Sequence, residues 1–386
     1  MHSTHICAIF EPNNSSNRLM SYNWQQKNWP HFQYRTEDIE DLLFDFAERT
    51  GKISGLLEGL TETAKTEAMI QTMISEAMKS SEIEGEYLNR GDVASSIRKN
   101  LGLDHDAPPI KDKRAQGIAE LMLEVRNTFP EALSKEMLFA WHTMLLKGKE
   151  NIQLGKWRSH MEPMQIISGA SGKEKIHFEA PPSTSVPNEM NNFIKWFNDT
   201  SPSSSAEMKK PVVRAAITHL YFESIHPFED GNGRIGRAIS EKALSQSVNR
   251  PILLSISKAI EARKSDYYEA LKITQCSNEI TPWIKYFIQT VLDAQIDAEK
   301  EIAFTLKKTR FFDLHKGDLN ERQQKAISRM LEEGPMGFEG GMNTRKYISL
   351  TRTSKATATR DLQDLVQKKI LFPSGGGRST SYDLKL

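Results

Sequence analysis

Residues 224–240 read SIHPFEDGNGRIGRAIS, and the types and spacing of these side chains describe a chemistry. Gly231-Asn232-Gly233 stands directly ahead of a helical pattern. Free backbone N–H groups there meet the positive end of the helix dipole and form an anion cradle. Arg234 and Arg237, three apart, share a helix face and can grip oxygens in fork geometry. Asp230 at the mouth of the cradle would repel a phosphate, a conflict that a divalent cation between them removes. His226 lies before the loop, where it can take a proton or act as a nucleophile, and spacing does not separate the two. Phe228 is expected to turn inward as an anchor and Glu229 to face solvent. An isolated G-N-G would be read more simply as a turn. The whole set implies transfer from a nucleotide polyphosphate to an acceptor that loses a proton. It is not a Walker loop, because no G-x-x-x-x-G-K-[ST] occurs.

The elements that must position this set are mostly helices. From about residue 36 to 86 apolar residues recur at helical spacing, with acids in the first turn of TEDIEDLLFDFAERTGKISGLLEGL. In AKTEAMIQTMISEAMKSSEIEGE, Ile70, Met73, Ile74, Ala77 and Met78 form one face, and Ser81 and Glu84 project onto it. Gly85 is a helix stop. A carboxylate on the buried side of a helix end is costly unless paired, so Glu84 asks for a cation from elsewhere in the chain, unless the end is frayed and the side chain reaches water. Further helices follow through 87–150, joined by a loop around DHDAPPI. MQIISG and KIHFEA, separated by ASGKE and ended by Pro181-Pro182, signal a β-hairpin. PVVRAAITHLYFESI is apolar on most sides, as a central helix would be, and helices continue through SKAIEARKSDYYEALKITQ and TPWIKYFIQTVLDAQIDAEKEIAFTLKKT.

At 386 residues the chain has room for two or three domains, and its 38% hydrophobic and 26% charged composition is that of an ordinary globular protein. No apolar run approaches the roughly 18 residues that span a bilayer. Two cysteines, Cys7 and Cys276, have no metal or redox spacing, which makes a reducing cytoplasm the expectation. Residues 1–19 are polar and turn-rich with no secretion pattern, and are expected to be a loose or loosely packed arm.

After Phe312 the pattern becomes three helices followed by strand, glycine turn and strand, which is a winged helix-turn-helix. Residues 344–386 carry nine Lys/Arg against three Asp, a local excess of +6 in a chain of net charge +1. A basic patch of this kind points to DNA, and a protein-contact module is the alternative.

HPFEDGNGR followed by IGR resembles the signature of the Fic family, His-x-Phe-x-Asp/Glu-Gly-Asn-Gly-Arg-x-x-Arg, at every fixed position. GKWRSHMEPMQIISG with FEAPPS is similar to the family's flap, and SDYYEAL resembles a later helix whose tyrosines border the nucleotide. SSEIEG at 80–85 matches the family's inhibitory pattern, Ser/Thr-x-x-x-Glu-Gly/Asn. Residues 24 to about 63 look like the N-terminal domain of a bacterial Fic subgroup that also carries a C-terminal winged helix, so the likeness runs over about 22–386.

The resemblance implies a protein adenylyltransferase, moving AMP from ATP to a Ser, Thr or Tyr hydroxyl of a target protein or of itself. His226 would be the general base and Asp230 would hold Mg²⁺ at the α- and β-phosphates. Gly231, Asn232 and Gly233 would form the cradle, and Arg234 and Arg237 would bind the β- and γ-phosphates, with Ile235 and Gly236 inside the same nucleotide-binding stretch. Tyr267 or Tyr268 would lie near the nucleoside, and Met164, Gln165, Ile166 and Ile167 of the flap would hold the target as an added β-strand. Glu84, with Ser80 in the same pattern, would occupy Arg237 and bar the γ-phosphate. The same resemblance leaves open a reverse, AMP-removing or bifunctional enzyme and transfer of UMP, phosphocholine or phosphate, and the basic C-terminal module leaves open a DNA-binding regulator with a nucleotide-sensing Fic portion. A homodimer is among the expected states, and a bacterial cytoplasm the expected location.

The fold expected is therefore mainly α: an all-helical Fic core with a β-hairpin flap, plus a C-terminal winged helix-turn-helix. The divisions expected are an N-terminal helical domain over 20–100 with its inhibitory helix at about 64–85, the catalytic domain over 101–312, and the winged helix over 313–386.

Overall fold

The computed structural model describes residues 21–103, 110–168, 175–376 and 380–385. The expected N-terminal arm, Cys7, the ASGKE turn, most of the DHDAPPI loop and Arg378 lie outside the described residues. The described part is mostly helical: α1 (Glu40–Glu58), α2 (Glu62–Ile83), α3 (Arg90–Asn100), α4 (Lys113–Asn127), α5 (Lys135–Leu145), α6 (Val186–Asp199), α7 (Pro211–Ile225), α8 (Asn232–Ser247), α9 (Ile256–Ala262), α10 (Lys264–Thr274), α11 (Thr281–Leu314), α12 (Glu321–Leu331), α13 (Thr344–Thr351) and α14 (Lys355–Gln367). Its strands are β1 (Gln165–Ser168) with β2 (Lys175–Glu179), and β3 (Leu371–Ser374) with β4 (Ser381–Leu384), each pair an antiparallel hairpin.

Two compact units divide the chain. One takes in the described residues up to Gly51 and Met69–Ile296, the other Lys52–Ala68 and Asp297 onward, so α1, α2 and α11 each run from one into the other.

In the first unit α7 is the centre, its residues buried on every side from Val212 to Ile225, as its unbroken apolar pattern requires. Pro211 opens it at a position where the missing N–H costs nothing. α8 packs antiparallel against it after a short loop, and both are buried along nearly their whole length. α6 lays Val186, Met190, Phe193 and Phe197 on this centre at helical spacing. α4 and α5 approach closely at Gly117, where an added Cβ would fall 2.1 Å from the Met144 carbonyl oxygen.

Two boundaries differ from the sequence reading. The helical run expected from residue 36 begins at Glu40, after a turn. The run from Ser257 to Gln275, read as one helix, is two: Arg263 at φ −135°, ψ 49° breaks it between α9 and α10.

The second unit builds its own core from α12, α13, α14 and the hairpin β3–β4, with Ile327, Met330, Tyr347, Leu362 and Leu365 at its centre. Side-chain caps start each helix: Asn320 with a capping box to Gln323, Asn343, and Ser354. Asp361, buried within this core, accepts from Arg322 Nε (2.8 Å) and Tyr347 Oη (3.0 Å). Burial would raise its carboxyl; these donors outweigh that and hold it below the usual range. Arg345, Arg352, Lys355 and Arg360 are exposed on α13, α14 and the turn between them.

Candidate active site

The site grows from the α7–α8 turn. His226 ends α7 in the left-handed region (φ 50°), donating its N–H to the Phe222 carbonyl at 2.9 Å. A non-glycine residue there is uncommon and must be held by its surroundings. Phe228 does part of that holding: it is fully buried and stacked on the His142 ring at 4.1 Å. Asn232 does more. Its side chain accepts from Phe228 N–H (2.9 Å) and donates to Phe228 C=O (2.8 Å), closing the loop on itself. Asn232 thus commits its side chain to the loop, and its backbone N–H stands at the start of α8. Gly231 carries φ 84° at the N-cap of α8, a conformation glycine adopts without strain. Ile235 is fully buried, and Gly236 packs so tightly on α7 that a Cβ would fall 2.5 Å from Glu223 Oε1. Neither presents a side chain to a ligand.

Both arginines are buried and already engaged. Arg237, 2% exposed, donates from Nε to Ser80 Oγ (3.0 Å) and from an NH2 group to the Ser80 carbonyl (2.8 Å) and Glu84 Oε1 (2.9 Å). Burial would lower its pKa, but the Glu84 carboxylate outweighs this and holds it firmly protonated. Glu84 meets the two sequence alternatives halfway. α2 ends at Ile83, one residue short of it, and its side chain keeps 30% exposure, yet its carboxylate sits on Arg237. Arg234 donates to Glu86 Oε2 at 2.6 Å and lies 3.5 Å from Asp230. Lys149, from the turn after α5, donates to Asp230 Oδ2 (2.5 Å) and pairs with Glu86 Oε1 (3.1 Å). Burial alone would raise the Asp230 carboxyl; Lys149, Arg234 and the Gly231 N–H hold it below the usual range.

Glu86 Oε1 and Asp230 Oδ2 thus converge on one positive charge, the Lys149 ammonium. Mg²⁺ takes one or two carboxylates and completes its shell with phosphate and water, so Asp230 beside a phosphate cradle fits it. Among the described residues no group of three or more His, Cys, Asp or Glu could hold a metal by protein ligands alone.

His226 faces a cavity of about 230 Å³ that Glu84, Ile166, Tyr267 and Tyr268 also line. Its Nδ1 lies 3.6 Å from Glu223 Oε2, which leaves Nε2 for the cavity. Burial would raise Glu223, but His226, His219 and Arg237 hold it below the usual carboxylate range. Tyr267 is buried, its hydroxyl 2.7 Å from His219 Nε2, and burial pushes its phenol well up. Tyr268 is the more open of the two and donates to the Ile83 carbonyl at 3.3 Å. The flap meets the site through Ile166 and, from β2, His177 and Phe178. A register shift falls between Ile166 and Ile167, with Ile167 43% exposed. Ala180 donates to the Met164 carbonyl at 2.9 Å, and Gln165 to Glu179 Oε2 at 2.7 Å. Structure thus brings together His226, the cradle, both arginines, Ser80, Glu84, both tyrosines and Ile166.

Comparison with known proteins agrees with this architecture. The Fic/DOC family matches residues 132–244, and a domain of unknown function, DUF4172, matches 22–103. A protein adenylyltransferase Fic of Nematostella vectensis is 28% identical over 185 residues, covering 47% of this chain and 38% of that protein. A probable protein adenylyltransferase of Aquifex aeolicus is 29% identical over 135 residues, covering 35% of this chain and 37% of its own. The chain matches well under half the length of these curated relatives. Among solved structures, a Fic family protein from Desulfovibrio desulfuricans aligns over 92% of this chain and 98% of its own at a TM-score of 0.54 and 21% identity. A Fic-domain signaling protein from Bacteroides thetaiotaomicron aligns over 70% of this chain and 97% of its own at a TM-score of 0.50 and 17% identity. The chain carries a Fic domain and has the Fic fold. Among the described residues no helix is long and apolar enough to cross a membrane.

Sequence reading missed three charged residues of the site. Glu86 had a visible signal, since two acids flank the glycine stop in E-G-E. Lys149 had none, lying 81 residues from Asp230. Glu223, three residues before His226, was passed over as part of an apolar helix.

Proposed function

We propose that this protein is a Mg²⁺-dependent protein adenylyltransferase, with AMP passing from ATP to a hydroxyl of a protein acceptor. The observation that carries the reading is that His226 and Gly233 of the cradle line one cavity, with Asp230 on the same α7–α8 turn and the buried Arg234 and Arg237 on the first turns of α8. The relatives named as protein adenylyltransferases support it. In the reaction the acceptor oxygen bonds to the α-phosphorus, the bond to the pyrophosphate oxygen breaks, and pyrophosphate leaves. The acceptor proton goes to His226 Nε2, the nitrogen turned away from Glu223. The N–H groups at the start of α8 and the guanidinium of Arg234 orient the phosphates. Asp230 would hold Mg²⁺, which when bound offsets phosphate charge. Ile166 and the outer edge of β1 offer main-chain bonds to an extended acceptor segment.

Glu84 acts as a resting brake in this reading. It holds Arg237 and so keeps the γ-phosphate from the guanidinium. The test is transfer of label from α-labelled against γ-labelled ATP, with His226→Ala beside the parent. Label from the α position alone, lost in His226→Ala, is expected; label from the γ position would make the protein a kinase and overturn the reading.

For the second unit we propose DNA binding through α14, supported by the exposed Arg345, Arg352, Lys355 and Arg360.

A further inference from the structure

The segment Glu84-Gly85-Glu86 has a geometry that the single inhibitory glutamate does not use up. α2 ends in a Schellman turn: Gly85 N–H bonds to the Glu82 carbonyl at 3.0 Å and Glu86 N–H to the Ser81 carbonyl at 2.9 Å, with Gly85 at φ +79°. A turn of this kind reverses the chain within two residues. The two carboxylates that straddle the glycine reach two arginines one helical turn apart on α8. Glu84 takes Arg237 at 2.9 Å and Glu86 takes Arg234 at 2.6 Å. The second pair is the shorter, and the Arg234 side chain is only 3% exposed. Glu86 also pairs with Lys149, Lys149 with Asp230, and Asp230 lies 3.5 Å from Arg234, closing a ring of alternating charge.

We propose that Glu86 is a second brake, distinct from Glu84: its carboxylate stands where a phosphate would lie on Arg234, and the Lys149 ammonium stands where a cation would lie on Asp230. The proposal rests on the reading of residues 226–237 as a nucleotide site. Glu84 holds Arg237 and lays its carboxylate over Gly233 of the cradle, but touches neither Arg234 nor Asp230. Glu86 governs entry of the metal–nucleotide itself, because both charges that the ligand must meet are neutralised within the chain until the ring opens. Neutralising Glu86 leaves Arg234 only its longer 3.5 Å contact with Asp230 and removes one of the two anchors of Lys149, so the ring is broken at Glu86 on both sides.

Calorimetric titration with Mg²⁺–ADP, which carries no AMP transfer, tests this on the full chain and four variants: Glu84→Gly, Glu86→Gln, Glu86→Ala and the double variant Glu84→Gly/Glu86→Gln. Melting curves accompany each, and Glu86→Ala serves if the glutamine keeps a hydrogen bond to Arg234. Glu86→Gln or Glu86→Ala is expected to tighten Mg²⁺–ADP by about fivefold or more, and the gain should persist in the Glu84→Gly background. Affinity unchanged or weakened in both Glu86 variants, with melting intact, overturns the second brake. If Glu84→Gly raises labelling by ATP while the Glu86 variants leave affinity unchanged, the second brake alone fails. If the Glu86 variants tighten binding while Glu84→Gly leaves labelling unchanged, the Glu84 brake fails and the Glu86 brake stands. No binding of Mg²⁺–ADP by any protein removes the nucleotide reading and this proposal with it.

Discussion

Replacing Glu84 by glycine should raise self-labelling by a factor that the contact geometry bounds. Glu84 makes one charge-assisted hydrogen bond to a fully buried guanidinium. Such a bond between buried groups contributes about 1.5–3 kcal/mol. The Glu84 side chain keeps 30% exposure, so water screens part of the attraction, and about 1–2 kcal/mol remains. That energy is the preference for the closed arginine, and its loss corresponds to about a fivefold to thirtyfold rise in rate. Ser80 still holds Arg237 through its hydroxyl and carbonyl oxygens, so the guanidinium stays oriented and folding should change little. The assay is the initial rate of α-labelled ATP incorporation into the purified chain, comparing wild type, Glu84→Gln and Glu84→Gly. Glutamine keeps the shape and loses the charge, and should fall between the other two. A rate within twofold of wild type for Glu84→Gly, in a preparation whose labelling still depends on His226, would refute the argument that this ion pair sets the resting state.

Other consequences are simpler to state. Gly117→Ala forces a Cβ to within 2.1 Å of a backbone carbonyl where α4 meets α5, and should lower stability by about 2 kcal/mol or more in a denaturant titration. Burial and the neighbouring Glu76 charge push the Glu241 carboxyl up to about 8, with Arg126 opposing. Because the folded state then holds this proton more tightly than the unfolded chain, the associated stability is complete at acid pH and is lost as pH rises through about 8. Melting temperature should therefore fall from about pH 5 to about pH 8 and level off above it, and Glu241→Gln should flatten that slope. Gel shifts with random duplex DNA should show binding that weakens steeply with salt and is lost in Arg360→Ala/Lys355→Ala; no shift at low salt would leave the second unit as a protein-contact module.

How much of this was visible beforehand depended on whether a residue's partner was local. The cradle and its arginines are one loop and one helical turn, so their mutual placement follows from helix geometry alone. The stop at Gly85 was equally local, and the Schellman turn supplies its physical form. The apolar stripe of α2 left Glu84 two readings, a buried cation partner or a frayed end reaching water; Arg237 is its partner, and the helix ends one residue before it. The break at Arg263 was invisible because nothing in KAIEARKSDYYEAL departs from helical spacing; no glycine or proline marks it. Lys149 could not be found at all, since its place depends on how α5 docks on the α7–α8 turn. Asn232 was legible as a loop residue, yet its use within the loop emerges only from its two bonds to Phe228.

The central claim is that His226 and the cradle move AMP onto a hydroxyl. Tandem mass spectrometry of the Glu84→Gly protein after incubation with Mg²⁺ and ATP addresses it directly. The account predicts fragment ions placing an AMP increment on a Ser, Thr or Tyr side chain, absent from Glu84→Gly/His226→Ala. An AMP increment that persists without His226, or one found on His226 itself, would contradict the general-base mechanism.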